Sequence, residues 1–272
     1  MATVSAIVVS YHTGPRLKEC LYALKTDPEI DELVIVDNGN PPDTRRWLDQ
    51  FVAECEKAQC LRPDSNLGFG QGVNRGAKVA SGQALLIINP DAVIRRGSVG
   101  ALKQAADGLS EPWIVGGRIY DTAGREDRGC RRRELTLPRA MCGAIGWNTW
   151  TLERKPAPNG PIAMPVISGA FFLTGRRGFS EIGGFDARYF LHVEDVDLCR
   201  RCRAAGGTVI YTPLAGALHY GATSRVSSQT VARYKADSLH TYFMTWARGP
   251  VERGLVRVLL PLMRLVSRLR AT

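Results

Sequence analysis

The chain has 272 residues, 44% hydrophobic and 23% charged, which suits one large α/β domain or two modest ones. That balance excludes disorder over most of the length, and no apolar run reaches the length of a transmembrane helix. The net charge of +10 points to an anionic partner: nucleic acid, acidic lipid or a phosphorylated substrate.

From the N-terminus, strand and helix signals alternate. Residues 5–10 (SAIVVS) are a β-branched run, followed by Gly14-Pro15 and a helical spacing of Leu17, Cys20, Leu21 and Leu24. Residues 32–37 (ELVIVD) read as a second buried strand, 43–54 as a helix, 60–61 as a weaker strand, 70–80 as a helix and 84–89 (ALLIIN) as another buried strand. Such βαβ alternation predicts a mostly parallel sheet with helices on both faces. A further strand is expected over 113–120. Residues 125–165, with Arg131-Arg132-Arg133, Trp147, Trp150 and several prolines, read as an irregular, mobile insertion over a cleft. Strands are expected again at 166–173 and 208–212, short helix at 179–182, helix at 196–205, and an extended piece at 218–220. Helices at 227–247 and 251–269 close the chain. In the last, Arg253, Arg257, Arg264 and Arg268 form a stripe beside Leu255, Leu259, Leu262, Met263, Val266 and Leu269. That pattern suits an acidic membrane surface or packing onto the domain or a second subunit.

Ligands in open α/β sheets bind beyond the carboxyl ends of the strands. Three such ends carry polar residues here: Ser10-Tyr11-His12, Asp37-Asn38 and Asn89-Pro90-Asp91. A second concentration of chemistry lies in GGFDARYFLHVEDVDLCRR, where Glu194, Asp195 and Asp197 follow an apolar and aromatic run. Carboxylates at the edge of a core are costly to ionise unless something pairs or uses them. The seven cysteines lack paired metal-ligand spacing, and Cys199 and Cys202 share a helical face, so reduced thiols in a cytosolic protein are expected. The N-terminus lacks the basic lead of a signal peptide.

These segments together (IVVSYHTG, VIVDNGN, NLGFGQGVNRGAKVA, LLIINPDAVI, SGAFFLTGR, GGFDARYFLHVEDVDLCRR and HYGATS) resemble the inverting family 2 glycosyltransferases of GT-A fold. The resemblance runs over residues 4–224 and is closest to the bacterial rhamnosyltransferase-like branch. It implies a catalytic domain over 1–224, with a nucleotide half of about 1–120 and an acceptor half of about 121–224, followed by a helical region at 225–272. The implied activity is transfer of a sugar, rhamnose from dTDP-rhamnose, to a glycan or lipid-linked acceptor in cell-surface polysaccharide synthesis.

Displacing a nucleoside diphosphate needs positive charge at the leaving group and a base for the acceptor hydroxyl. The resemblance assigns Asp91 to a divalent cation, Mg²⁺ or Mn²⁺, although Asn89-Pro90-Asp91 departs from the more familiar Asp-x-Asp and carries one charge fewer. His219 is either a second metal ligand or a hydrogen-bonded core histidine. Ser10, Tyr11, Asp37, Asn38, Asn66, Asn74 and Asn89 are implied nucleotide contacts, though Tyr11 equally suits a core-edge aromatic. Gly68, Gly70 and Gly72 let backbone approach the ligand, and amides after them face phosphate. Asp195 is the expected base, with Glu194 as the alternative. Asp197 reads better as a helix cap or a partner of Arg200 or Arg201. Ser168, Gly169 and Ala170 line the acceptor side.

Two other classes compete. A nucleotidyltransferase shares the sheet and the metal carboxylate, but SYHTGPRLK is a poor substitute for its Gly-rich phosphate loop. A non-catalytic membrane- or nucleic-acid-binding protein would use the positive charge, but the arginines do not interleave with aromatics, so nucleic acid is not an expected partner. A cytoplasmic enzyme on the inner face of the plasma membrane fits the whole pattern.

Overall fold

The structure, a computed structural model, describes residues 2–127, 129–144, 152–153, 156, 158–221 and 227–269. Trp147, Trp150 and the 224 boundary lie outside the described residues, as do the side chains from Leu262 onward.

Strands β1 (Val4–Ser10), β2 (Glu32–Asp37), β3 (Ala58–Leu61) and β4 (Ala84–Ile88) alternate with helices α1 (Arg16–Thr26), α2 (Pro42–Ala53) and α3 (Phe69–Val79). All seven positions of β1 and all five of β4 are buried, which is why these strands read as continuous apolar runs rather than alternating ones. Beyond them lie β5 (Ala92–Ile94), α4 (Ser98–Ala106), β6 (Trp113–Tyr120), β7 (Arg131–Arg132), α5 (Leu137–Ala144), β8 (Ile162–Ala163), β9 (Val166–Ile167), β10 (Phe171–Gly175) and α6 (Arg176–Glu181). The chain continues through α7 (Glu194–Ala204), β11 (Thr208–His219), α8 (Ser228–Trp246) and α9 (Pro250–Leu269).

The main sheet has the order β3-β2-β1-β4-β10-β6-β11-β5, with β8 added on β11. Strands β3, β2, β1 and β4 are mutually parallel, and β6 and β11 are parallel to each other. The reversed members are β10, between β4 and β6, the edge strand β5, and β8 on β11. This is the mostly parallel, helix-covered sheet expected.

Four details differ from the sequence expectation. Neither β5 nor α4 was expected. The run 166–173 is not one strand: β9 pairs with β7 in a separate small sheet, the chain turns through Ser168–Ala170, and β10 then enters the main sheet. The extended pieces at 208–212 and 218–220 belong to one long β11, whose register against β6 shifts between Thr212 and Gly216. Finally, 125–165 carries β7, α5 and β8 rather than irregular chain alone.

The edge pairing of β5 with β11 positions the site, because it sets His219 opposite Ala92 and hence beside Asp91. Helix α8 covers the segment leading into α7. Ser238 Oγ donates to Leu191 O at 2.9 Å, Trp246 Nε1 donates to Asp197 Oδ1 at 2.9 Å, and the Phe190 and Tyr234 rings lie 4.5 Å apart.

Candidate active site

At the carboxyl ends of β1 and β2, one buried side chain that the sequence reading passed over organises the predicted residues. Asn40 Nδ2 donates to Ser10 O at 3.1 Å and to Asp37 Oδ1 at 2.9 Å, while its Oδ1 accepts from His12 N at 2.9 Å. Asp37 is fully buried, and its second oxygen faces Arg62 Nε at 3.2 Å and Arg45 Nε at 3.3 Å. Burial alone would raise this carboxyl, but the N–H groups of Asn40, Gly39 and Arg62 hold it below the usual range. The Asp37 charge is therefore permanent at neutral pH. Asn38 ties this corner to the following loop: its Nδ2 donates to Asn66 Oδ1 at 2.7 Å, and its Oδ1 accepts from Leu67 N at 3.0 Å. The Tyr11 ring rests over Gly39, where a Cβ would sit 3.4 Å from ring carbon Cε2.

The loop glycines are required by close packing within the protein. Gly68 has φ +78°, and a side chain there would strike Phe190 O at 2.4 Å; Phe69 N donates to that same carbonyl at 3.2 Å. A Cβ on Gly70 would meet Phe185 at 2.9 Å and one on Gly72 would meet Val9 at 2.6 Å. Asn74 departs from the cluster. Its amide is occupied at both ends by the Phe185 backbone, with Nδ2 donating to O at 2.7 Å and Oδ1 accepting from N at 2.9 Å. It clamps α3 to the 183–187 segment and does not join the other predicted nucleotide contacts.

The next corner joins the end of β4 to the end of β11. Asn89 and His219, 130 residues apart, come within 3.3 Å through Nδ2 and Nε2. His219 Nε2 lies 3.2 Å from Asp91 Oδ1, and His219 Nδ1 lies 3.8 Å from Asp127 Oδ2, a carboxylate that carries no sequence signal. Burial works against the imidazolium, but hydrogen bonding to Asp127 and Asp91 outweighs it and raises the His219 pKa to about 9. Among the described residues no set of three His, Cys, Asp or Glu side chains is spaced to hold a metal ion. Asp91 and His219 together offer one oxygen and one nitrogen donor on one buried edge. That fits a divalent ion completing its shell with phosphate oxygens and water, as Mg²⁺ and Mn²⁺ do. Only neutral imidazole ligates, so such an ion and a proton compete for His219 Nε2.

The acidic cluster separates into distinct environments. Asp195 Oδ2 accepts from Gly169 N at 2.9 Å and from Arg132 Nη2, and its Oδ1 accepts from Val196 N at 2.8 Å. A Cβ on Gly169 would lie 3.0 Å from Asp195 Cβ, so the small residue lets the carboxylate reach the loop. Glu194 is 7% exposed, and its Oε2 is buried without a hydrogen-bond partner among the described residues. Burial, and then the adjacent Asp195 charge, push its carboxyl well above the ordinary carboxylate range. Both acids open α7 immediately after His192 (φ 67°) and Val193 (φ 69°). Left-handed backbone is costly for these residue types, and for β-branched Val193 above all. Asp197, by contrast, is taken up by partners within the fold. It accepts from Arg201 Nε at 2.7 Å and from Trp246 Nε1, while Arg200 stacks 4.2 Å above the Trp246 ring. Cys199 and Cys202 are buried free thiols, in keeping with packing.

The turn Ser168–Ala170 joins the two halves. Gly169 N donates to Asp195, and one residue on, Ala170 O accepts from Asn89 N at 2.9 Å. The carboxylate pair at the start of α7 and the Asn89–Asp91–His219 corner are therefore linked through one short turn.

Comparison with known proteins adds the following. The family model for Glycosyl transferase family 2 matches residues 5–183. An N-acetylglucosaminyl-diphospho-decaprenol L-rhamnosyltransferase of Mycobacterium tuberculosis is 30% identical over 269 residues, spanning 90% of this chain and 86% of its own. Rhamnosyltransferase WbbL of Escherichia coli K12 is 42% identical over 227 residues, spanning 80% and 83%. Among solved structures, GalNAc-T7 with UDP, GalNAc and Mn²⁺ superposes with a TM-score of 0.67 at 16% identity, covering 91% of this chain and 49% of its own. The mannosyltransferase PcManGT of Pyrobaculum calidifontis, in complex with GDP-Man and Mn²⁺, gives 0.64 at 16% identity, covering 98% and 73%. The two structures share the GT-A arrangement of sheet and helices.

Proposed function

Because the chain belongs to glycosyl transferase family 2 and is a glycosyltransferase, we propose that it transfers rhamnose from dTDP-rhamnose, with inversion, to a hydroxyl of a lipid-linked glycan acceptor in cell-surface polysaccharide synthesis. The observation that supports this reading is the Ser168–Ala170 turn, where Gly169 N donates to Asp195 and Ala170 O accepts from Asn89 N, next to the Asp91–His219 pair. Inverting transfer needs a base and a leaving-group site that act on opposite faces of the anomeric carbon, and two groups linked through one short turn can supply them.

In this reading Asp195 accepts the proton of the acceptor hydroxyl as its oxygen bonds to the anomeric carbon and the bond to the diphosphate breaks. Glu194, raised by burial, stays protonated and leaves the ionised charge on Asp195. Asp91 and His219 would hold a divalent metal, Mn²⁺ or Mg²⁺, which when bound offsets the charge that develops on the diphosphate. Ser10, Tyr11, Asp37, Asn38 and Asn66 form the donor wall, Asn89 adjoins the metal corner, and Ser168, Gly169 and Ala170 form the acceptor wall. Residues 1–120 thus serve the donor, 121–224 the acceptor, and 225–272 add the helical region. The relative named for a diphospho-decaprenol acceptor supports a lipid-linked substrate. A cytoplasmic protein docked on the inner membrane face would meet that substrate through α9, where Val251 (77%), Leu255 (50%) and Val258 (71%) are exposed beside exposed Arg253 and Arg257.

The test is a panel of nucleotide sugars with Mg²⁺ or Mn²⁺, read by thermal stabilisation and by NMR of the product anomer. We expect dTDP-rhamnose to stabilise most, an inverted product, and a loss of about 10²–10⁴-fold in turnover for Asp195→Asn with donor binding retained. Near-normal turnover of Asp195→Asn would overturn the base assignment, and diphosphate release from a sugar-1-phosphate plus a nucleoside triphosphate would favour the nucleotidyltransferase.

A further inference from the structure

We propose that Arg132 is the positioning residue for the catalytic carboxylate: it fixes Asp195 in place, and so couples the base to the acceptor-side segment around residues 126–136. The inference rests on the glycosyltransferase reading of the same cleft.

In sequence, Arg131-Arg132-Arg133 looks like one basic patch. The structure separates its members. Arg131 pairs with Glu126 at 2.6 Å and lies 5.3 Å from the Tyr211 ring centre; Arg133 faces Glu153 at 3.6 Å. Only Arg132 turns to the cleft. Its Nη2 donates to Asp195 Oδ2 and, at 3.0 Å, to Ile167 O. The backbone beneath it is fixed by the β7–β9 pairing, Arg132 opposite Val166, so one guanidinium spans β7, β9 and the first turn of α7.

Two features make this more than a surface ion pair. Asp195 follows two consecutive left-handed residues, His192 and Val193, a backbone state that persists only where its surroundings hold it. The Arg132 bond is one of the contacts that hold it, with Ser238 on Leu191 O and Asp197 N on Val193 O. Arg132 Nε is also buried without a partner among the described residues, as is Glu194 Oε2, so two polar atoms without a hydrogen-bond partner in that set flank Asp195.

The charged and titratable groups around this pair are Glu194 and Cys199 on α7, His192 in the turn before it, and Asp127 ahead of β7. Arg132 is the cation in direct contact with Asp195.

The experiment compares the wild type with Arg132→Ala, Arg132→Lys and Arg132→Gln, using the full chain, the donor that the wild type turns over, and its acceptor. For Arg132→Ala we expect kcat to fall about 10²-fold with the donor KM unchanged, as for a misplaced reacting group. Added guanidinium ion should restore part of kcat. Arg132→Lys should give intermediate kcat. Turnover within about twofold of wild type, no rescue by guanidinium ion, or a loss confined to donor KM would overturn the proposal. If Arg132→Ala does not fold, Lys and Gln carry the comparison, and equal kcat for those two refutes it. A wild type that turns over no nucleotide sugar fails the functional reading instead; an active wild type with an indifferent Arg132 fails only this one.

Discussion

Replacing Glu194 by Gln should flatten the dependence of stability on pH. Glu194 is 7% exposed, one of its oxygens has no partner among the described residues, and Asp195 adds a second negative charge beside it. Its folded-state pKa is raised above the ordinary value of 4.5. The stability it contributes is therefore complete below 4.5 and is lost as pH rises towards the folded-state value, because the unfolded chain ionises first. Between those limits the loss is about 1.4 kcal/mol per pH unit, so at two units above the unfolded value it is about 2.7 kcal/mol. Gln cannot ionise, and the other titrating groups, His219 and His192 among them, are common to both proteins. The difference in unfolding free energy, Gln variant minus wild type, should thus grow with pH at about that slope, on top of a constant offset from the buried amide. Urea denaturation of both proteins at half-unit steps from pH 5 to 7.5 measures it. A difference that stays constant, or falls, would show that Glu194 is paired and ionised in the fold, and the division of labour between the two acids would collapse with it.

Two further substitutions probe the frame around the site. Trp246→Phe removes the indole donor to the buried Asp197 carboxylate, and should lower unfolding free energy by about 1–3 kcal/mol in urea with little change in turnover per folded molecule. Gly72→Ala pits a gain in helix propensity of about 1 kcal/mol against a Cβ lying 2.6 Å from a Val9 methyl; overpacking of about 1–3 kcal/mol should win, giving a lower melting temperature, and a stabilised variant would show that α3 has room to move off β1.

How far the fold could be read from sequence depended on whether an element's cause was local. Strands β1, β2 and β4 are buried along nearly their whole length, and their apolar runs announce that directly. β5 has three residues, too few for any period to register. β11 looked like two pieces because Pro213 and the register shift between Thr212 and Gly216 break its pattern, while the β6 ladder that unites it is invisible in one dimension. The run 166–173 looked like one strand because Ser168–Ala170 carries small residues compatible with extension. Its division is set by two different sheets claiming its two ends.

The same distinction governs the site. Residues that end strands were legible, since topology alone sends Ser10, Asp37 and Asn89 to the carboxyl edge of the sheet. Asn40 sits in the same DNGN segment but reads as ordinary turn chemistry until its amide is seen joining Ser10 to Asp37. Asn74 misleads in the opposite direction, because its residue type suits a nucleotide while its helical phase delivers it to the Phe185 backbone. Asp127 and Arg132 had no motif to betray them. Their meaning comes from what they meet, His219 in one case and Asp195 in the other, each brought by a strand pairing distant in sequence. Both lie in the segment that the sequence reading assigned to an irregular insertion. The partners of the candidate base and of His219 are thus drawn from the least patterned stretch of the chain. This follows if the strand-end residues set the cleft's frame while the less patterned segment adjusts its acids and histidine to a particular acceptor.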